Sequence, residues 1–199
     1  MLPDPKTAAI VLAAGESSRM GRPKQLLDFG GKPLLRHSVE VALAAGCSPV
    51  IVVLGANETL LRTALDGLPV EVVFNGRWAE GMGTSIQAGL QALDAQAVAG
   101  AILVLADQPQ VSAEFLRGLS RQHRETGKII VAASYQGTVG VPAFFASSAF
   151  PLLLALSPGN GCKGVILAHR QDALLLDCPD AAIDIDTPED YERITKATA

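Results

Sequence analysis

Short, wholly apolar runs alternate with longer amphipathic stretches along the first two-thirds of the chain. Ala8 to Leu12 is apolar throughout and too short for a helix, so it predicts a first strand. The turn Gly30-Gly31-Lys32-Pro33 opens a helix in which Leu34, Leu35, Ser38, Val39, Ala42 and Leu43 recur near the helical period through Ala45. Proline suits its first turn, and Gly46 ends it. Pro49 to Leu54 is a second continuous run, the pattern of a strand buried on both faces. Glu58 to Leu65 reads as a helix and Val70 to Phe74 as a third strand ending at Asn75. Residues 78–83 read as loop, and Thr84-Ser85 lead into a helix through Leu93. Ala101 to Leu105 is a fourth strand, Ser112 caps a helix running toward Thr126, and Ile129 to Ala133 is a fifth strand.

This alternation predicts an α/β fold, a three-layer αβα sandwich around a mostly parallel, Rossmann-like sheet. The regularity fails after Ser134. Tyr135 to Thr138 reads as a turn and Val141 to Phe145 as a short strand, with Pro142 marking an edge strand or a strand's beginning. Pro158-Gly159-Asn160-Gly161 is a flexible loop before a helix from Lys163 to His169. Leu174 to Leu176 and Ile183 to Ile185 read as short strands, so this half adds antiparallel strands. Thr187 as N-cap, Pro188 at the first position and acids in the first turn start a last helix. With no linker or repeat, residues 1–199 form one domain with halves 1–133 and 134–199. In a parallel sheet, ligands sit beyond the carboxyl ends of the strands. Gly15, Gly55, Asn75 and Asp107 each follow a predicted strand there.

The chemistry concentrates after the first strand. Ala13, Ala14 and Gly15 let a ligand approach the backbone, and successive N–H groups in such a turn cradle anionic oxygens. Arg19 can fork onto a phosphate and Lys24 can add a point charge. The spacing matches neither G-x-x-x-x-G-K-[ST] nor G-x-G-x-x-G, yet the elements are those of a polyphosphate-binding loop. Asp107 supplies a carboxylate at a strand end, suited to Mg²⁺, which takes one or two carboxylates with substrate phosphates and water. The amide of Asn75 can donate and accept at a base edge, and Ser85 flanks a loop at the same sheet edge.

The stretch Leu12-Ala13-Ala14-Gly15-x-Ser17-x-Arg19-Met20-Gly21-x-x-Lys24 resembles the signature of nucleotidyltransferases with the molybdopterin-guanylyltransferase-like fold. Leu-Ala-Ala-Gly is similar to the molybdenum cofactor cytidylyltransferases, where the guanylyltransferases more often read Leu-Ala-Gly-Gly. Asp107-Gln108-Pro109, Asp186-Thr187-Pro188-Glu189-Asp190 and Gly81-Met82-Gly83-Thr84-Ser85-Ile86 resemble further segments of the family, in the same order. The resemblance implies a nucleotide-diphospho-sugar transferase-like fold and transfer of CMP from CTP to molybdopterin carrying molybdenum, releasing pyrophosphate. It implies nucleotide binding by Leu12, Ala13, Ala14, Gly15, Lys24, Gly55, Asn75 and Ser85, with Arg19 and Lys24 catalytic. Mg²⁺ would be held by Asp107 and by Asp186, chosen over Asp184. Residues 1–133 would be the triphosphate-binding half and 134–199 the acceptor-binding half, with a molybdoenzyme or its chaperone as partner. One departure concerns the acceptor: the family's Gly-Asp-x-Gly-Ala-Arg-like loop reads Gly159-Asn160-Gly161-Cys162-Lys163-Gly164 here, keeping a cation only at Lys163. A sugar phosphate as acceptor, or a non-catalytic carrier of the pterin cofactor, are the alternatives.

Charge and composition narrow the rest. A formal net charge of −4 speaks against a non-specific nucleic-acid binder, so an anionic ligand needs a local basic loop such as residues 19–24. No apolar run approaches the ~20 residues that span a membrane, and Met1 to Thr7, with two prolines and Asp4, does not read as a signal peptide. Three widely spaced cysteines without C-x-x-C favour a reducing cytoplasm, and three histidines without shared spacing speak against zinc.

Overall fold

Strands Lys6–Ala13 (β1), Val50–Leu54 (β2), Glu71–Phe74 (β3), Val98–Leu105 (β4), Ile130–Tyr135 (β5), Thr138–Ala146 (β6) and Ala173–Asp177 (β7) form one sheet in the order β3-β2-β1-β4-β6-β5-β7. The computed structural model describes residues 6–198, so most of the N-terminal segment read above, Met1 to Thr7, lies outside the described residues. β1 pairs in parallel with β2 and β4, β2 with β3, and β5 with β7. Only β6, among the described strands, runs antiparallel to its neighbours β4 and β5.

The continuous apolar runs are strands buried on both faces. On one side of the sheet Val11, Val52 and Val104 join a core with helices Leu34–Ala44 (α1) and Ala113–Thr126 (α4). On the other, Ile10, Val53 and Leu103 join a core with helices Met82–Gln91 (α3), Phe150–Leu154 (α5) and Lys163–Ala168 (α6). Three layers result, as the alternation predicts. The stretch predicted as one helix from Glu58 is a short helix, Glu58–Arg62 (α2), that tightens into a 3₁₀ turn over Thr63–Leu65. Ser112 caps α4 by accepting from the Phe115 N–H at 3.1 Å. No helix among the described residues is long and apolar enough to cross a membrane.

Two predictions of the second half are corrected. Pro142 does not mark an edge or a beginning: β6 is an interior strand. The register shifts from Ala132↔Ala143 to Ala133↔Gly140, which leaves Val141 and Pro142 outside the paired register. At such a bulge the missing N–H of proline costs no ladder bond. Ile183 to Ile185 is not a strand. The Ile185 N–H donates to Asp107 O at 3.0 Å, so the segment docks on the loop after β4 rather than on a strand.

That docking is held by a third, small core of Met20, Leu27, Leu34, Ile185 and Ile194. Helix Pro188–Thr198 (α7) follows. Its start is a reciprocal cap in which Thr187 Oγ1 accepts from the Asp190 N–H at 3.2 Å and the Asp190 carboxylate accepts from the Thr187 N–H at 3.0 Å. Tyr191 then donates its hydroxyl to Asp28 O at 2.7 Å. The C-terminal segment is thereby pinned against the loop that follows β1.

Candidate active site

The loop after β1 is shaped from inside by Gln25, a residue only 3% exposed. Its Nε2 donates to Gly15 O at 2.8 Å and to Ala13 O at 3.2 Å. Its Oε1 accepts from Ser17 Oγ at 3.1 Å, and Ser17 Oγ accepts from the Lys24 N–H at 3.2 Å. These bonds fold residues 13–25 back on themselves, so the Lys24 side chain returns to the sheet edge.

There Lys24 Nζ donates to Asp107 Oδ2 at 2.5 Å and to Asp186 Oδ1 at 2.7 Å. Arg19 NH2 donates to Asp186 Oδ2 at 2.9 Å from a side chain that is 68% exposed. Two predicted carboxylates far apart in sequence therefore converge on one ammonium. Burial alone would lower the Lys24 ammonium, but the two carboxylates reverse this and hold it above its usual value. Burial likewise pushes the Asp186 carboxyl up, and Lys24 and Arg19 outweigh it, leaving it below the usual carboxylate range. Asp184 turns elsewhere: burial first, then the nearby charge of Asp107, raise its carboxyl.

A cleft of about 340 Å³ opens beside this cluster. One wall is the small-residue loop, with Leu12, Ala13, Ala14 and Gly15; Trp78, Met82 and Ser85 form another, and Asp107 and Lys24 close one end. A smaller recess of about 150 Å³ adjoins it, lined by Gly15, Ser17, Ser18, Arg19, Lys24 and Asp186. Lys24 borders both spaces. A long anion lying along the loop would thus meet backbone first, then the ammonium, then the guanidinium.

Not every predicted nucleotide-binding residue lines the cleft. Asn75 is buried and its amide is committed: Nδ2 donates to Thr84 Oγ1 and to Ser85 Oγ, both at 2.9 Å, and Oδ1 accepts from the Arg77 N–H at 2.9 Å. It fixes the loop that presents Trp78 and Ser85. Gly55 is a packing point, since a Cβ there would lie 2.5 Å from Trp78 Cβ and 2.7 Å from Ala14 O. Gly83 likewise lets the Ser157–Gly161 segment close on the cleft wall. Its N–H donates to Pro158 O at 2.8 Å, and a Cβ on it would lie 2.4 Å from Ser157 O. Lys163 lies outside the cleft, in a groove of about 720 Å³ between α5 and α6.

The residues present fit a hard divalent cation. Asp107 and Asp186 already converge on a single cationic nitrogen, and Asp107 Oδ1 is buried without a hydrogen-bond partner among the described residues. Carboxylate oxygens of this kind suit Mg²⁺ or Mn²⁺. Sequence reasoning missed Gln25 and Trp78. Trp78 is the one tryptophan of the chain and sits in a loop beyond a strand, a signal that could have been used. Gln25 carries no signal beyond following Lys24, because its partners are backbone carbonyls.

The chain matches the MobA-like NTP transferase domain over residues 9–173. It is 32% identical to a nicotine blue oxidoreductase of Paenarthrobacter nicotinovorans, over 96% of this chain and 97% of that protein. A probable molybdenum cofactor guanylyltransferase of Opitutus terrae is 37% identical over 69% of this chain and 65% of its own length. The crystal structure of Rv0371c from Mycobacterium tuberculosis H37Rv in complex with manganese superposes with a TM-score of 0.72 at 30% identity, covering 96% of this chain and 99% of that one.

Proposed function

The chain belongs to the MobA-like NTP transferase family and is a nucleotidyltransferase, and from that premise we propose that it transfers CMP from CTP to molybdopterin carrying molybdenum. The triphosphate lies along Leu12 to Gly15 with its base toward Trp78 and Ser85. A phosphate oxygen of the acceptor attacks the α-phosphorus. The bond from the α-phosphorus to the bridging oxygen breaks, and pyrophosphate leaves with that electron pair. Such transfer needs positioning and electrostatics rather than covalent protein chemistry, so no enzyme-bound intermediate forms.

Lys24 and Arg19 hold the phosphates and offset the charge that builds on the leaving pyrophosphate. Asp107 and Asp186 would hold Mg²⁺, which when bound supplies Lewis-acid polarisation of the phosphate oxygens. Residues 134–199 supply the acceptor site, and the product passes to a molybdoenzyme or its chaperone. The supporting observation is the ammonium of Lys24 held between Asp107 and Asp186 beside a loop of small residues, Ala13 to Gly15.

The test is pyrophosphate release with Mg²⁺, molybdenum-loaded molybdopterin and each of CTP, GTP, ATP and UTP. Turnover with CTP alone supports the reading, and turnover with GTP alone replaces the base. Release only when a sugar phosphate is supplied instead replaces the acceptor.

A further inference from the structure

The position that suits a divalent cation is filled by a side chain of the protein itself. Lys24 Nζ lies 2.5 Å from Asp107 Oδ2 and 2.7 Å from Asp186 Oδ1. A Mg²⁺ ion shared by those two oxygens would stand about 2.0–2.1 Å from each. Ammonium and metal would then overlap, and a divalent and a monovalent cation would share one small, partly buried volume. One must leave when the other arrives. Arg19 does not solve this, because it reaches only the outer oxygen of Asp186 and is largely exposed.

We infer that Lys24 is a built-in occupant of the metal position, and that metal and triphosphate enter together by exchanging with it. This rests on the nucleotidyltransferase reading of the site. In the nucleotide-free protein the ammonium, together with the Arg19 guanidinium on Asp186, neutralises Asp107 and Asp186 and joins the loop after β1 to the segment before α7. When a metal-bound triphosphate arrives, the metal takes the carboxylates and the ammonium swings to the phosphate oxygens. The Lys24 side chain lines both the cleft and the recess beside it, so the phosphates lie within its reach. The exchange keeps every charge paired at each end of the step. A free divalent cation arriving without phosphates would strand the ammonium and therefore binds weakly.

The consequence runs against the usual effect of deleting an active-site residue. Replacing Lys24 by a neutral side chain leaves Asp107 without a cation and Asp186 with only the exposed Arg19, so the nucleotide-free protein should bind metal more tightly although turnover is lost. The test is Mn²⁺ binding to the full nucleotide-free chain, read as loss of the free-ion signal in electron paramagnetic resonance. Lys24→Met should bind Mn²⁺ at least tenfold more tightly than wild type, about 1.4 kcal/mol. Adding Asp107→Asn should abolish that gain. Equal or weaker Mn²⁺ binding by a folded Lys24→Met protein overturns the proposal.

Should Lys24→Met fail to fold, the wild-type chain carries the test through the ¹⁵N resonance of the Lys24 ammonium. It should move with Mg²⁺ and inorganic tripolyphosphate together and stay fixed with Mg²⁺ alone at the same concentration. Saturation by Mg²⁺ alone, with the resonance unmoved, overturns the exchange. No nucleotide or acceptor enters either measurement. A failure of the exchange is therefore distinct from a failure to release pyrophosphate.

Discussion

Gln25→Leu tests whether the anion loop is held by the side chain beneath it. The replacement is similar in volume, so little cavity forms, but the bonds to Ala13 O, Gly15 O and Ser17 Oγ are lost. Their costs differ. Gly15 and the Ser17 hydroxyl lie near solvent and can be rehydrated, whereas Ala13 is 4% exposed and its carbonyl cannot. An orphaned buried carbonyl costs about 1–3 kcal/mol, and a rehydrated bond about 0.5–1.5 kcal/mol. One orphaned carbonyl and two rehydrated bonds together predict a loss of about 2–6 kcal/mol of stability, or roughly 4–24 °C in Tm for a chain of this size. The same loss loosens the backbone that receives the triphosphate. Pyrophosphate release should therefore show a raised KM for the triphosphate and a smaller change in kcat. Gln25→Glu sharpens the point: it keeps the shape but places acceptor oxygens against two carbonyls, so it should cost more than leucine. A Gln25→Leu protein within about 0.5 kcal/mol of wild type in urea unfolding, with unchanged KM, would refute the reasoning.

Gly83→Ala forces a Cβ to within 2.4 Å of Ser157 O, a backbone atom, and should cost about 1–3 kcal/mol in thermal unfolding. Asp107→Asn removes a carboxylate from the metal position and should lower kcat for pyrophosphate release at least about 100-fold, whereas full activity would remove the metal role. Burial pushes the Cys47 and Cys162 thiols up to about 12 from 9.0, so neither should react with a thiol reagent at pH 8 until the chain is unfolded. Because the unfolded thiols ionise first, these two sites should make stability fall as pH rises above about 9, measured as urea midpoints of wild type against a Cys47→Ser, Cys162→Ser protein.

The half of the fold with parallel pairing was legible because its strands are buried on both faces. β1, β2 and β4 therefore read as unbroken apolar runs between helices with one apolar stripe. β6 was harder to read. Only Val141 to Phe145 was visible, because Thr138 to Gly140 carry turn-like residues and the bulge that admits Pro142 depends on a neighbouring strand. Helix α5 escaped notice: Phe150–Leu154 is five residues, too short to establish a helical period.

The site divides along the same line. Arg19, Lys24 and Asp107 were legible because each stands in a local arrangement whose chemistry is carried by its immediate neighbours. The choice of Asp186 over Asp184 came from the resemblance and could not be read from spacing, and the reason is physical. Alternation places both on one side only if residues 183–185 form a strand. They do not, and Ile185 is instead the buried plug of a small core shared with Met20 and Leu34. With that residue fixed, Asp186 emerges toward Lys24 and Arg19, while Asp184 is held against the end of β4, where burial and Asp107 raise its carboxyl. The distinction between the two acids thus arises from contacts across more than 150 positions of sequence, 162 for Lys24 and 167 for Arg19. Spacing within residues 183–190 could not contain it, because the side chains that separate the two acids belong to the other end of the chain.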